Sequence, residues 1–199
     1  MNTGIVRGLP VPGVEIAEAV DDRGWIRSDG DSVSLDWPDA EYLTVLGSWH
    51  CGGVLVTLVQ DELILRSYLC SADAAGAGLF HELADDGILL LPSALLATAQ
   101  ASTWWAEQGD TLYELVAGGF DLDPDDVYEV WSTRLQDEHP LVRSSACWAA
   151  PYLDGDRIAD RLDVAAATDE SPEVREAAAE SAAVIRKRSG RPEQSGGGR

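Results

Sequence analysis

The chain has 199 residues, 45% of them hydrophobic, which suits one sizeable core or two small ones and excludes a disordered protein. Its 35 acidic and 14 basic residues give a formal charge of −21, and the balance over residues 1–185 is −25 because Arg186, Lys187, Arg188, Arg191 and Arg199 cluster at the end against Glu193 alone. Such a surface repels nucleic acid and anionic lipid and attracts basic partners, although acidity of this kind also serves solubility alone.

In chain order, residues 1–24 carry Pro10, Pro12 and four glycines, and residues 14–20 form a short helix or strand. No basic start and long apolar stretch mark a signal peptide, and no apolar run reaches the roughly 20 residues that span a bilayer, so a cytoplasmic location is expected. Residues 25–69 read as short β-type runs between turns: 25–27, 33–37 ending at Pro38, 42–46, and then 54–59 and 63–68 flanking a polar Gln60-Asp61-Glu62 connection, which is a hairpin pattern. Trp25, Trp37 and Trp49 fall twelve apart, as if successive strands each give one ring to a common core.

After Cys70 the texture becomes helical. Residues 72–84 are alanine-rich and end at Asp85-Asp86-Gly87. Ser93 caps a helix to about Glu107, with Trp104 and Trp105 among its apolar residues; Gln108-Gly109-Asp110 reads as a turn, residues 111–116 as a short apolar segment, and Gly118-Gly119 as a break. Asp123 caps a helix through Leu135 with Val127, Val130, Trp131 and Leu135 inside. Asp156 opens a counterpart with Ile158, Leu162, Val164 and Ala165 inside. The tail 189–199 has no periodic apolar residues and reads as disordered.

Two segments repeat at an offset of 32 residues. Asp137-Glu138-His139-Pro140-Leu141-Val142-Arg143 begins the first and Asp169-Glu170-Ser171-Pro172-Glu173-Val174-Arg175 the second, with seven identities over fourteen aligned positions. Pro140 and Pro172 stand where a helix starts and a missing N–H costs nothing. Ser171 can cap its helix, with Glu173 favourable in the first turn. Val142, Ala146 and Ala150, like Val174, Ala178 and Ala182, form a narrow stripe that lets a neighbouring helix approach closely. Trp148 reads as a packing residue. Each segment and the helix before it make one antiparallel hairpin.

At these residues the chain resembles the HEAT-repeat family of armadillo-like α-solenoids, whose pattern sets an aspartate in the turn and a valine and an arginine five and six residues later. Asp137, Val142 and Arg143 match it, as do Asp169, Val174 and Arg175. In that family the aspartate and arginine form a ladder between adjacent repeats, which implies the same role for Asp137, Arg143, Asp169 and Arg175. The resemblance covers residues 124–187. Two repeats are fewer than the three a solenoid normally needs, so residues 93–118 are expected to supply a degenerate cap.

The fold class that follows is α+β: a small antiparallel β-rich part, then helical hairpins. The expected organisation is an α+β region over 1–120 (strands about 25–69, helices about 72–118), HEAT-like repeats over 121–188 and a tail over 189–199.

Chemistry is hard to find. Cys51, Cys70 and Cys147 have no disulfide-framework spacing, and His50, Cys51, Cys70 and His81 fit no standard metal site. Asp121-Leu122-Asp123-Pro124-Asp125 fails as a calcium loop because Asp126 stands where glycine is needed and Ser132 where glutamate is needed. Gly76-Ala77-Gly78 lacks the third glycine of a dinucleotide fingerprint. No cofactor, metal or catalytic residue is assigned. The expected function is a non-enzymatic adaptor or regulatory subunit that binds a basic protein, with Glu138, Glu170, Glu173, Glu176 and Glu180 as contacts, and with no direct nucleic-acid or membrane partner. One alternative is a small acidic inhibitor, an immunity-type protein or nucleic-acid mimic, that blocks a basic partner. The other is an enzyme with an N-terminal site near His50, Cys51 or His81.

Overall fold

The computed structural model describes residues 4–8, 20, 22–28, 30, 43–61, 66–71, 75–86, 89–118, 122–153 and 155–188. Within them an antiparallel sheet is followed by helices, an α+β fold. The strands are β1 (Gly4–Gly8), β2 (Ile26–Arg27), β3 (Leu43–Cys51), β4 (Val54–Asp61), β5 (Arg66–Ser71) and β6 (Leu89–Leu90), in the order β2-β3-β4-β5-β1-β6. The helices are α1 (Gly76–Asp85), α2 (Pro92–Ala101), α3 (Trp105–Gly118), α4 (Pro124–Arg134), α5 (Pro140–Ala149), α6 (Asp156–Thr168) and α7 (Pro172–Arg188), with a 3-10 turn at Ala150–Tyr152. No helix of the described residues is long and apolar enough to cross a membrane.

The chain divides into two compact units. One comprises residues 1–97 and 118–123, the other residues 98–117 and 124–199. Residues 98–117, placed with the N-terminal region by the sequence pattern, therefore side with the C-terminal helices.

In the first unit, β3 and β4 pair from Leu43↔Asp61 to Cys51↔Val54 around Gly52 and Gly53, whose φ angles of 57° and 87° suit a two-residue hairpin turn. Val54, Val56 and Leu58 alternate onto one face and pack with Trp49, Leu69, Phe80, Leu83 and Leu89. Trp49 is fully buried and Trp25 packs against this core; Trp37 lies outside the described residues. The hairpin of β4 and β5 is present, but Gln60 and Asp61 belong to the strand, and β5 continues to Ser71. The expected strand at 33–37 and the tail at 189–199 also lie outside the described residues.

In the second unit, α5 packs beside α7, and α6 packs against α7. Val142, Ala146 and Ala150 are buried, as are Val174, Ala178 and Ala182, so both stripes are covered. Val127, Val130 and Trp131 line the inside of α4, Leu135 is buried just past its end, and the Trp131 indole donates to Ala146 O at 2.8 Å. Ile158 and Leu162 are buried on α6, whereas Val164, expected inside, is 57% exposed. The expected turn at Gln108-Gly109-Asp110 is instead the interior of α3. The helix expected from Ser93 to Glu107 ends at Ala101, and a new one starts at Trp105. Glycine at 109 sits at a tight contact: a Cβ there would stand 2.8 Å from Ser145 Oγ and 3.2 Å from Ser145 Cβ, so α3 and α5 approach closely at this point.

Candidate protein-binding surface

The two repeated turns share one geometry. Asp137 Oδ1 accepts from His139 N at 2.8 Å, and Asp169 Oδ1 accepts from Ser171 N at 2.9 Å. Each local bond replaces a backbone partner that the turn cannot offer and sets the entry to the helix at Pro140 or Pro172. One turn into that helix, an arginine reaches back. Arg143 Nη1 donates to the carbonyls of Asp137 (2.9 Å) and Glu138 (3.0 Å), and Arg175 Nη1 to those of Asp169 (2.7 Å) and Glu170 (3.2 Å).

The other edge of Arg143 crosses between hairpins. Its Nε and Nη2 grip Asp169 Oδ2 and Oδ1 at 2.8 and 2.9 Å, with Glu170 Oε1 3.4 Å away. The two side chains are 8% and 9% exposed, at the wall of a surface groove, and a bidentate fork satisfies both charges. Arg143 holds the Asp169 carboxyl below its ordinary value, helped by the Ser171 amide; Asp169 in turn raises the guanidinium's.

A second rung escaped the sequence reading. Gln108, buried on α3, satisfies donor and acceptor at both ends when its amide nitrogen faces Asp137 Oδ2 (3.2 Å) and its oxygen faces Arg134 Nη1 (2.8 Å). It thus reaches the turn aspartate of the next hairpin as Arg143 does, without a charge. The space for a cation is taken by Arg134, whose Nη2 closes the end of α2 by donating to Ala99 O (2.7 Å) and Ser102 O (2.9 Å). Burial lowers the pKa of Arg134, partly offset by Asp137. A buried glutamine one turn into a helix, following a serine-threonine break, is the signal that could have located this rung.

Outside the ladder, the exposed stripes of the helices differ sharply. On α5, Leu141 and Trp148 stand two turns apart, 57% and 44% exposed. Trp148 therefore does not pack inside as the sequence suggested: relative to Val142, Ala146 and Ala150 it falls on the opposite side of the helix. At the start of α3, Trp104 and Trp105 are 57% and 45% exposed, and Trp105 stacks on His139 with centroids 4.5 Å apart and planes at 7°. His139 caps α5 through Nδ1, which accepts from Leu141 N at 3.3 Å.

The same register on α7 is acidic. Glu173, Glu176 and Glu180 are 32 residues beyond Leu141, Ser144 and Trp148, and all three are exposed. Glu173 accepts from the Ser171 hydroxyl at 2.6 Å, which lowers its pKa. Glu138 and Glu170, grouped with them in the sequence, lie elsewhere: they flank a groove of about 600 Å³ whose lining includes Leu135, Arg143, Arg161, Val164 and Asp169.

His50 and Cys51 sit half-buried at the end of β3, and His81 is exposed on α1. Burial pushes the thiols of Cys70 and Cys147 up to about 12, which removes both as nucleophiles at neutral pH. Among the described residues no three His, Cys, Asp or Glu side chains form a metal-binding group. No family model, no curated protein and no solved structure matches the chain.

Proposed function

We propose that the helical unit is a HEAT-like protein-binding module, a non-enzymatic adaptor or regulatory subunit acting in the cytoplasm on a basic protein partner. The observation that carries this is the juxtaposition on one register of an exposed apolar ridge, Leu141 and Trp148, with the acidic stripe Glu173, Glu176 and Glu180. Exposed tryptophans are costly on a monomer and frequent at the centre of interfaces. Covering the remaining surface of Trp148, about 100 Å², contributes about 2.5 kcal/mol. The acids beside it favour a partner segment that offers lysine or arginine next to an apolar residue. The laddered helices behind hold the stripe in place.

Affinity capture with the whole chain, a Trp148→Ala variant and a Glu173→Lys/Glu176→Lys/Glu180→Lys variant tests the reading at about 50 and about 500 mM salt. A specific partner retained by the parent chain and lost by both variants supports it. Equal capture by all three contradicts it. The strong acidity of residues 1–185 favours one second reading, an acidic inhibitor of a basic protein. That reading requires capture that high salt abolishes and Trp148→Ala leaves unchanged.

A further inference from the structure

Arg175 repeats Arg143 with half of its bonds missing. Both guanidinium groups are pinned by Nη1 to the two carbonyls of their own turn, at 2.9 and 3.0 Å for Arg143 and 2.7 and 3.2 Å for Arg175. That anchoring fixes the plane of the fork. In Arg143 the opposite edge holds the Asp169 carboxylate. In Arg175 the corresponding Nε and Nη2 make no ion pair or hydrogen bond with a carboxylate among the described residues, the Asp169 and Glu173 charges acting on the group only through space, and the side chain is half-buried. A guanidinium held with its outward edge open is preorganised for a carboxylate, since the entropy of orienting it is already spent.

The helix surface beside it continues the same comparison. α7 covers α5 along Arg143 and Cys147, whose thiol approaches Val174 O at 3.9 Å. Thirty-two residues on, Arg175 and Ala179 occupy those places, followed by Ala183 one turn further, and Ala179 is exposed. Small side chains there let another helix lie as close to α7 as α7 lies to α5.

We infer that this end of the helical unit is a second docking face, and that its occupant is a partner's helical hairpin presenting an aspartate in its turn to Arg175. The inference rests on the interaction reading above but uses a different face, so its failure leaves the Leu141–Trp148 surface untouched, and the converse also holds.

The probe is the chain's own hairpin. A duplicate of residues 150–181 inserted after Ser181 repeats the connection at Ala150–Tyr152 together with the hairpin and is designed to set a copy of Asp169 against Arg175. The expected result is added helical ellipticity, together with an Arg175→Ala penalty on the folding equilibrium of about a hundredfold or more in the extended chain. In the natural chain the same substitution should cost only about tenfold, from the two carbonyl bonds. Changing the duplicated aspartate to asparagine should remove most of the difference. Equal Arg175→Ala penalties in the two chains would overturn the inference, because the rung would then be either worthless or already filled by this chain. So would a duplicate that adds no helix.

Discussion

Replacing Arg143 by alanine strands a carboxylate. Asp169, 9% exposed, would keep only its bond from the Ser171 amide, and the carbonyls of Asp137 and Glu138 would lose a donor. Breaking a buried ion pair from one side costs about 3–5 kcal/mol. Arg175→Ala removes only the two carbonyl bonds on a half-buried side chain, about 1–2 kcal/mol. Arg143→Lys keeps the charge and loses the fork, and should fall between them. Urea unfolding followed by far-ultraviolet circular dichroism reads the difference, with a midpoint about 2 M lower for Arg143→Ala and a much smaller shift for Arg175→Ala. Equal midpoints for the two alanine variants would refute the claim that the inter-hairpin carboxylate, and not the local turn, makes Arg143 important.

The same rung sets a pH dependence. Because the folded state lowers Asp169 below its ordinary 3.8, its contribution is complete above that value and disappears as pH falls through the lowered one. The stability gap between the parent chain and Asp169→Asn should therefore stay constant from about pH 8 to 5 and close as pH falls below Asp169's ordinary 3.8; a gap that widens on acidification contradicts the assignment. Thiol titration of the native protein should find Cys51 reactive and Cys70 and Cys147 silent until denaturant is added, in keeping with thiols raised to about 12 by burial; three equally fast thiols would show that the two are not enclosed. In the sheet, a Cβ on Gly47 would lie 2.7 Å from the ring of buried Trp49, so Gly47→Ala should destabilise by about 1–3 kcal/mol, measured by tryptophan fluorescence during unfolding. No loss would mean that the ring shifts freely.

The hairpins were legible because their positions obey local rules that tertiary context does not override. Pro140 and Pro172 mark helix starts, and the alanine stripes mark the covered faces. The β4–β5 pairing was legible from two apolar runs around a polar break. Its neighbour was missed although Gly52-Gly53 between apolar runs is a strong hairpin signal, because Ser48, Trp49 and His50 do not read as a β run. Gln108-Gly109 looked like a turn since glycine usually breaks a helix; here it sits in a close contact with Ser145, which no local pattern reveals. Gln108 was invisible as a rung because it replaces the repeated arginine by a neutral side chain, with the cation arriving from Arg134 instead. Trp148 misled by its chemistry: a large ring suggests a core, and only its angle to the alanine stripe shows that it faces outward.

Oxidative footprinting of the four tryptophans of the helical unit, free and bound to a captured partner, bears most directly on the proposed role. Free, Trp104, Trp105 and Trp148 should oxidise while buried Trp131 stays silent; bound, Trp148 should become protected. A partner that binds tightly and leaves Trp148 as oxidisable as before would contradict the account.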